Sequence, residues 1–350
     1  MTCPRYVSAD DSEEYVKSSS TWRMSTRVFT DAAYPGESKQ QNCCLLCGAP
    51  VEPTIRGLND NRFGTPGCYE IHECCGCGLE RTWPEPSLAE LKRLYESQYN
   101  FGGETGTLYT ALREWFLMSP FHRLWISVDG DISFLARRGS GRLLDVGCNE
   151  GRALRIYRRN GFEVEGLEIN RRAATEAKKA GLEVHTCLIE EFVPPVSYDV
   201  AVLSNVLEHA LDPAQMLREV RRILAPAGQV WISCPNGQSW MRRAFGRSWI
   251  NWHVPFHISH FSAATIRQLL ESNGYTEVRI RQISPALWFA QSLITSLFAV
   301  EGRSNRHLRN PIVTVLFMLL ARAVLFPLLW FGNNVRRGDC LIVTAKKATA

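Results

Sequence analysis

Residues 143–151 read LLDVGCNEG, an apolar run that leads into a turn with glycine at positions 147 and 151. Ala153, Leu154 and Tyr157 then recur at helical spacing. The stretch predicts a buried strand, a tight turn and a helix, which is the repeating unit of doubly wound α/β folds. Because glycine has no Cβ, the turn can approach a bound nucleoside closely, although two glycines also occur in such turns for packing alone.

Further strands and helices follow in the order that an α/β sheet requires. The run FEVEGL at residues 162–167 predicts a second strand, which ends at Glu168, about 20 residues after the first turn. A carboxylate at this distance can accept hydrogen bonds from the two hydroxyls of a ribose. Later elements are a buried strand at residues 198–205, a helix that begins at Asp212 and Pro213 and stops at residues 225–228, and a strand at residues 229–234.

Four segments resemble the successive motifs of class I S-adenosylmethionine (SAM)-dependent methyltransferases: LLDVGCNEG, VEGLEIN, YDVAVLSNVLEHALDP and REVRRILAPAGQVWISCPN. The branch that they resemble includes ubiquinone-biosynthesis and saccharide-cluster enzymes. The resemblance covers residues 140–283 and a last strand near residue 340. It implies SAM as the cofactor and cofactor-binding roles for Asp145, Gly147, Asn149, Gly151, Glu168, Ile169, Ser204 and Asn205.

Within that resemblance, each part of the motif has its own role. The turn shapes the methionine end of the SAM pocket, Glu168 holds the ribose, and Ser204 and Asn205 line the side of the methyl donor. Two positions depart from the family. Asn149 stands where the family usually has glycine, and asparagine tolerates a left-handed backbone better than most residues. The third strand ends in HTCL at residues 185–188, without the acidic residue that often contacts adenine.

The 12 cysteines are unevenly distributed, since seven of them lie between residues 43 and 77. Two C-x-x-C-G turns, with Cys44 and Cys47 in one and Cys74 and Cys77 in the other, each present two thiolates, and four thiolates complete a tetrahedral Zn²⁺ site. A site with four cysteine ligands has no open position and is therefore structural. A redox dithiol and unbound thiols are the alternatives, and Cys43 is a register alternative to Cys44.

The segment after the cysteines contains a proline-rich turn and a pair of tyrosines. RTWPEPS at residues 81–87 precedes a short helix with Tyr95, followed by Tyr99. This order resembles the N-terminal module of saccharide and natural-product methyltransferases, in which the segment forms a lid near the methyl donor. The i, i+4 spacing of the tyrosines fits the apolar stripe of one helix equally well. Residues 108–135 are predicted as helical cover that leads into the main domain.

Four histidines are candidates for acceptor chemistry. Methyl transfer is an in-line displacement, so the protein mainly aligns the nucleophile and excludes water, whereas a hydroxyl acceptor also needs a base. His257 matches the histidine of the family's Pro-x-His stretch and is the first candidate for the base. His209 is the second, within a Leu-Glu-His signature. His253 and His260 share the segment of His257, and a structural role suits any of the four.

Two apolar segments, residues 286–300 and 311–332, precede the predicted last strand, and Arg322 is the only charged residue in the second. The second is long enough to cross a bilayer as a helix. A single crossing would, however, separate the last strand, predicted at residues 339–345, from its sheet. We expect a helical hairpin that packs on the domain or on a second subunit of a homodimer. The alternative is a peripheral membrane contact, helped by arginines at the segment ends: Arg303, Arg306, Arg309, Arg336 and Arg337.

Composition adds limits on partners. The chain has 40 basic and 35 acidic residues, and a net charge of +5 is too small to indicate nucleic-acid binding. No early apolar run resembles a signal peptide, so we expect a cytoplasmic protein, which would be peripheral at the inner face of the membrane if residues 286–332 contact lipid. The expected activity is SAM-dependent methylation of a hydroxyl on a small-molecule or glycan acceptor, free or lipid-linked. An RNA methyltransferase and a non-catalytic SAM-binding scaffold are the alternatives.

The sequence therefore predicts an α/β protein with a Rossmann-like, doubly wound seven-stranded sheet and helices on both faces. A small N-terminal zinc ribbon and a C-terminal apolar helical insertion before the last strand complete the prediction. The predicted segments are a disordered tail (1–42), the ribbon (43–82), a helical linker or lid (83–138), the SAM-binding core (139–285), the apolar hairpin (286–334) and the final strand and tail (335–350).

Overall fold

A computed structural model describes residues 43–97, 115–194 and 196–349. The tail expected at residues 1–42 and Tyr99 of the lid segment lie outside the described residues. The strands are β1 Val51–Leu58, β2 Tyr69–Cys74, β3 Glu80–Trp83, β4 Arg142–Val146, β5 Glu163–Leu167, β6 Val184–His185, β7 Tyr198–Ser204, β8 Leu224–Pro235, β9 Ser259–His260, β10 Tyr275–Ile283 and β11 Cys340–Lys347. The helices are α1 Leu88–Ser97, α2 Pro120–Asp129, α3 Arg152–Arg159, α4 Arg171–Lys179, α5 Pro213–Ile223, α6 Trp240–Phe245, α7 Ala263–Ser272, α8 Ala286–Phe298, α9 Arg306–Arg309 and α10 Pro311–Asn334.

The predicted doubly wound sheet of seven strands is confirmed. Its strands lie in the order β10-β11-β8-β7-β4-β5-β6. The five strands from β8 to β6 are parallel, whereas β11 is antiparallel to both β8 and β10. The order reverses at β4, which pairs with β5 on one side and with β7 on the other. The carboxyl ends of these three strands therefore meet at the topological switch point, where open α/β sheets bind their ligands.

The central strands are apolar on both faces because helices cover both faces of the sheet. Leu143 and Val202 are fully buried in the cluster on one face, and Leu144 and Leu203 are fully buried in the cluster on the other. Neighbouring residues of one strand thus contribute to opposite layers, as the two-residue period of a strand requires.

One strand begins earlier than predicted. Residues 225–228, which were expected to stop a helix, belong to β8. Leu224 pairs with Tyr198 of β7, and the register shifts before Val200, so the strand absorbs the turn as an irregularity. The start of α5 agrees with the prediction of a helix that begins at Asp212 and Pro213. The Asp212 side chain caps the helix by accepting a hydrogen bond from the backbone N–H of Gln215.

A second sheet contains residues from two distant parts of the chain. Its order is β1-β2-β3-β9, so the N-terminal hairpin strands are completed by Ser259–His260. The backbone N–H of Thr82 donates to the carbonyl of Ile258 at 2.9 Å. The guanidinium of Arg242 also donates to both carboxylate oxygens of Glu80, each at 2.6 Å. The cysteine-rich module is therefore attached directly to the segment that carries three of the candidate histidines.

The two apolar segments form α8 and α10, which pack against each other. α10 precedes β11, which lies inside the main sheet between β8 and β10. α10 is thus connected to the sheet at both ends: through β11 after it, and through α8, which follows β10, before it. The described residues contain one helix, α10, that has the length and composition to cross a membrane.

Candidate active site

A cavity of about 630 Å³ opens at the carboxyl ends of β4, β5 and β7. β4 contributes Gly147 and Asn149 to its wall, β5 contributes Glu168 and Ile169, and β7 contributes Ser204 and Asn205. Helix α1 closes the opposite side with Leu91, Lys92 and Tyr95. Six of the eight residues expected to bind the cofactor therefore line one cavity. Asp145 and Gly151 are not among the described residues of its wall.

The two glycines of the first turn are required for different reasons. Gly147 has φ +74°, and a Cβ there would lie 2.8 Å from Cγ2 of Val206 at the cavity wall. Gly151 has φ +73°, and a Cβ there would lie 2.2 Å from Cδ1 of Leu182 in the core. Asn149 occupies the left-handed region with φ +52°. Gly147 thus leaves space at the cavity wall, whereas Gly151 leaves space for Leu182 in the core.

The carboxylate of Glu168 is fixed by backbone N–H groups. It accepts hydrogen bonds from Asn149 N at 2.8 Å and from Asn170 N at 2.7 Å. A carboxylate has about four lone-pair sites, so these contacts leave capacity for ligand hydroxyls. Burial raises the pKa of Glu168, and the backbone donors oppose that rise.

Asp145 lies behind the turn and is buried. Burial raises the pKa of Asp145 to about 8, and the neighbouring charge of Glu168 adds to the rise. At neutral pH this places a proton on Asp145, because two buried carboxylates disfavour each other's ionisation. Asp145 is thus buried next to the turn in sequence, whereas Glu168 lines the cavity.

The end of β7 forms a polar floor. The hydroxyl of Ser204 lies 3.1 Å from that of Ser133 and 3.2 Å from that of Ser233. Asn205 has φ +54°, and its backbone N–H donates to the carbonyl of Ser233 at 2.9 Å. Its side-chain Oδ1 is buried without a hydrogen-bond partner in the described part of the chain. A buried acceptor of this kind favours a ligand that donates a hydrogen bond.

Helix α1 is held over the cavity by its last turn. The side-chain amide of Asn170 donates to the carbonyl of Tyr95 at 3.2 Å. The ring of Tyr95 lies 6.0 Å from that of His209 and 5.8 Å from that of Phe256, both edge to face. Tyr95 thus lies on a helix and lines the cavity.

His209 is the candidate histidine that lines the cavity. Its Nδ1 lies 2.8 Å from the carbonyl oxygen of Phe256. A carbonyl only accepts, so Nδ1 carries the hydrogen of the neutral ring and Nε2 carries the lone pair. Burial lowers the pKa of His209 to about 4, so the ring is neutral at neutral pH.

His257, the first candidate from the sequence, lies beside His209 and is not among the described residues of the cavity wall. The two rings meet edge to face at 4.6 Å. Nδ1 of His257 donates to the carbonyl of Asn251 at 2.8 Å. The carbonyl of His257 accepts from the Thr82 hydroxyl at 2.6 Å, which ties it to β3. His253 and His260 are buried in the same segment.

Sequence reasoning did not single out Glu208, which completes the histidine cluster. Its side chain is 1% exposed, and neither carboxylate oxygen has a hydrogen-bond partner in the described residues. Burial raises the pKa of Glu208 to about 8. Glu208, His209 and His257 each offer one ligand atom within 4.8 Å of the others. The Leu-Glu-His signature that indicates His209 also contains Glu208.

The four cysteines expected to bind zinc lie together. The Sγ atoms of Cys44 and Cys77 are 3.6 Å apart, and those of Cys47 and Cys74 are 3.3 Å apart. All four Sγ atoms lie within 4.8 Å of one another. A tetrahedral Zn²⁺ with Zn–S bonds of about 2.3 Å requires S–S separations of about 3.8 Å, so the set is compatible with zinc. Cys43 and Cys75 are exposed and lie outside the set.

Comparison with known proteins gives the class of the central domain. Residues 122–280 match the model of a family described as a methyltransferase domain. The ubiquinone biosynthesis O-methyltransferase of Sodalis glossinidius is 30% identical over 135 residues, which are 35% of this chain and 54% of that protein. The enzyme of the same name from Aliivibrio fischeri is 29% identical over 137 residues, covering 35% of this chain and 58% of that protein.

Solved structures that resemble the chain do so at lower sequence identity. An S-adenosylmethionine-dependent methyltransferase of Mesorhizobium loti has a TM-score of 0.42 at 19% identity and covers 63% of this chain and 100% of that chain. The chain spans about half the length of the curated relatives it matches. The matched family and the sheet order define residues 122–280 as a class I SAM-dependent methyltransferase domain.

Proposed function

We propose that the protein is an O-methyltransferase in which His209 accepts the proton of the acceptor hydroxyl. One observation carries the proposal: His209 lies on the wall of the cavity with Nδ1 bound to the Phe256 carbonyl, so Nε2 holds the lone pair. The acceptor we propose is a hydroxyl of a saccharide or related metabolite. The ubiquinone O-methyltransferase relatives support a hydroxyl acceptor. The choice of a saccharide depends on the sequence resemblance of the N-terminal segment alone.

The cavity residues fit SAM. Glu168 would accept the ribose hydroxyls, Gly147 would admit the backbone approach, and the unpartnered Oδ1 of Asn205 would accept from the ammonium group. When bound, SAM supplies an electrophilic methyl group on a sulfonium. Tyr95 and α1 would exclude water from the reacting groups.

The proton balance fits a weak base. SAM would supply the methyl carbon and retain the electron pair of its C–S bond on sulfur, so the acceptor hydroxyl would have to lose its proton. The proton passes to Nε2 of His209. A neutral imidazole with a pKa of about 4 can accept it, because proton transfer needs to occur only once the new C–O bond is forming.

His257 would act as a positioning residue in this scheme. Its ring packs edge to face on His209, and its own Nδ1 and carbonyl are held by Asn251 and Thr82. Contact through ring edges can fix the orientation of His209 without proton transfer. Loss of His257 is therefore expected to lower kcat less than loss of His209.

We also propose that Cys44, Cys47, Cys74 and Cys77 hold a structural Zn²⁺. The four sulfurs are close enough for one tetrahedral ion, and backbone N–H groups of Leu46 and Gly76 lie 3.3 Å from Cys44 Sγ and Cys74 Sγ. The ion would crosslink the two turns that carry β1 to β3. No open coordination position would remain for substrate.

The variant His209→Asn tests the base, because asparagine keeps an N–H donor for the Phe256 carbonyl but has no lone pair on nitrogen. Full-length protein is incubated with labelled SAM and a membrane and metabolite extract, and the labelled product is identified. We expect kcat to fall by about 100-fold or more, with the Kd for SAM unchanged. His307→Asn, a histidine outside the cavity, is the matched control.

The pH profile provides a second readout. With the pKa of His209 lowered to about 4, wild-type kcat should stay level from neutral pH down to about pH 5 and decline below it. A full-rate His209→Asn enzyme would remove His209 from the mechanism. Label in RNA would favour the RNA methyltransferase, and SAM binding with no transferable label would favour the non-catalytic scaffold.

A further inference from the structure

Helix α10 presents a wide apolar face to solvent. Ile312, Leu316, Leu320, Val324, Leu328 and Phe331 recur about once per turn and are 46–67% exposed. The residues that α10 buries, among them Ala321 and Leu329, lie on the opposite side of the helix. Contiguous exposed apolar surface of this length marks a contact surface, since soluble monomers rarely leave one uncovered.

Two neighbouring helices also expose apolar side chains. α2 exposes Phe121 and Leu124, at 61% and 64%, and the end of α8 exposes Leu297 at 59%. One buried carboxylate joins the three helices: Asp129 at the end of α2 lies 3.4 Å from Arg322 of α10 and accepts from the first N–H of α8 at 3.0 Å. These buried contacts attach α2, α8 and α10 to one another, and the apolar side chains named above remain exposed to solvent.

Arginines flank the apolar face at both ends. Arg303, Arg306 and Arg309 precede α10, Arg336 and Arg337 follow it, and all five are exposed. No acidic residue occurs between residues 302 and 338. None of the five arginines forms an ion pair with any residue in the described ranges. An apolar face between two basic ends is complementary to the interface of a bilayer that contains anionic lipid.

The helix would lie in the plane of the bilayer. A crossing would require the two ends of α10 on opposite sides of the membrane, but β11 pairs with β8 and β10 of the main sheet. Arg322, near the middle of α10, is buried against Asp129 and Val128 of the domain. The inner side of the helix therefore remains bound to protein along its length.

The charge distribution also argues against a second copy of the chain as the partner that covers the apolar face of α10. In a two-fold dimer the same surface meets itself. Because both ends of α10 are basic, parallel and antiparallel pairing alike would bring arginines against arginines, which disfavours association. An anionic lipid surface neutralises the same charges.

We propose that the outer face of α10, with the exposed residues of α2 and the end of α8, docks the protein on an anionic phospholipid bilayer. This surface is separate from the cavity, so the proposal does not depend on the acceptor. It places the enzyme at the membrane surface, where an acceptor carried on a lipid would be concentrated.

Vesicle co-sedimentation of the full chain tests the proposal. We expect the protein to pellet with vesicles of phosphatidylcholine and phosphatidylglycerol, and at least tenfold less with phosphatidylcholine alone. Leu320→Ser with Val324→Ser should reduce binding at least tenfold, whereas Val193→Ser, an exposed apolar residue elsewhere, should not. Arg306→Gln with Arg309→Gln should weaken the preference for anionic vesicles, and Arg171→Gln with Arg172→Gln should leave it unchanged.

Each other outcome overturns the proposal. If wild-type protein stays in the supernatant with both vesicle types, it does not bind bilayers. If the Leu320→Ser, Val324→Ser variant binds vesicles as well as wild type does, the contact lies elsewhere on the protein. A concentration-dependent dimer that Leu320→Ser and Val324→Ser abolish, without vesicle binding, identifies a second copy as the occupant. SAM titration of the same samples shows whether the domain is folded, so failure here is distinct from failure of the proposed activity.

Discussion

The guanidinium of Arg322 lies 3.4 Å from the carboxylate of Asp129, with both side chains buried, so the long apolar helix is joined to α2 by a charged pair. Burial raises the pKa of Asp129 to about 6, and Arg322 opposes the rise. The pair is thus ionised at neutral pH at the cost of desolvation.

Arg322→Met should destabilise the protein by about 3–5 kcal/mol at neutral pH, because it leaves the buried Asp129 without its partner. The loss should shrink below pH 6, where the carboxyl is protonated. Adding Asp129→Asn should recover much of the stability, and urea unfolding of the three proteins measures both effects. Equal loss in the single and double variants would show that the pair is not coupled.

Glu208→Gln should flatten the pH dependence of stability. In the unfolded chain the Glu208 carboxyl loses its proton near the ordinary glutamate pKa, whereas burial raises its pKa to about 8 in the folded protein. The folded state thus binds more protons in between, so stability falls as pH rises through this window, by up to about 1.4 kcal/mol per pH unit. Urea unfolding between pH 5 and pH 8 should show a shallower fall for the variant, while the exposed Glu163→Gln should behave like wild type.

Gly147→Ala should weaken SAM binding by about tenfold or more, because its Cβ would meet Val206 at the cavity wall. Gly181→Ala is the matched control, since Gly181 has φ +73° and open space around its Cβ position. Both variants should lose about 1–2 kcal/mol of stability from the left-handed backbone. Calorimetric titration separates them: unchanged SAM affinity in Gly147→Ala would show that the turn does not contact the cofactor.

Cys74→Ser should remove bound zinc and lower methyl transfer while leaving SAM affinity close to wild type. The reason is the contact of Thr82 with His257 and Ile258, which transmits disorder in the cysteine module to the histidine segment. Metal content by mass spectrometry, calorimetry with SAM and turnover are measured together. Cys75→Ser, at an exposed cysteine outside the cluster, should retain zinc and activity; a zinc-free protein that remains fully active contradicts the link.

Local signals made the cofactor side of the domain predictable. The glycines at 147 and 151 and the cap at Asp212 each depend on a few neighbouring residues, and they predict the turn and the helix start that the structure has. The spacing to Glu168 places that residue on the cavity wall, and its ribose-binding role stays a prediction. The alternation of strands with helices along the chain then predicted a doubly wound sheet. The separate roles of the two glycines could not be predicted, because Leu182 and Val206 reach them only in the fold.

The acceptor side depends on contacts between distant segments. His209 lines the cavity, whereas His257 is not among the described residues of its wall. Nδ1 of His209 is bound by the carbonyl of Phe256, and the carbonyl of His257 is bound by Thr82, so both positions involve residues that are distant in sequence. The pairing of Arg322 with Asp129 likewise has no periodic signal in either segment. Sequence pattern identifies which residue types are present there, and only tertiary packing decides which of them faces the ligand.

The strand Ser259–His260 closes the sheet of the cysteine module, so the boundary between the two modules does not follow the order of the chain. A truncated protein that starts at residue 122 would contain the whole matched family region and still lack the partner of its own β9. We therefore expect the region that folds on its own to extend beyond residues 122–280. A change in the N-terminal module is therefore expected to alter the histidine segment as well, since the two share one sheet.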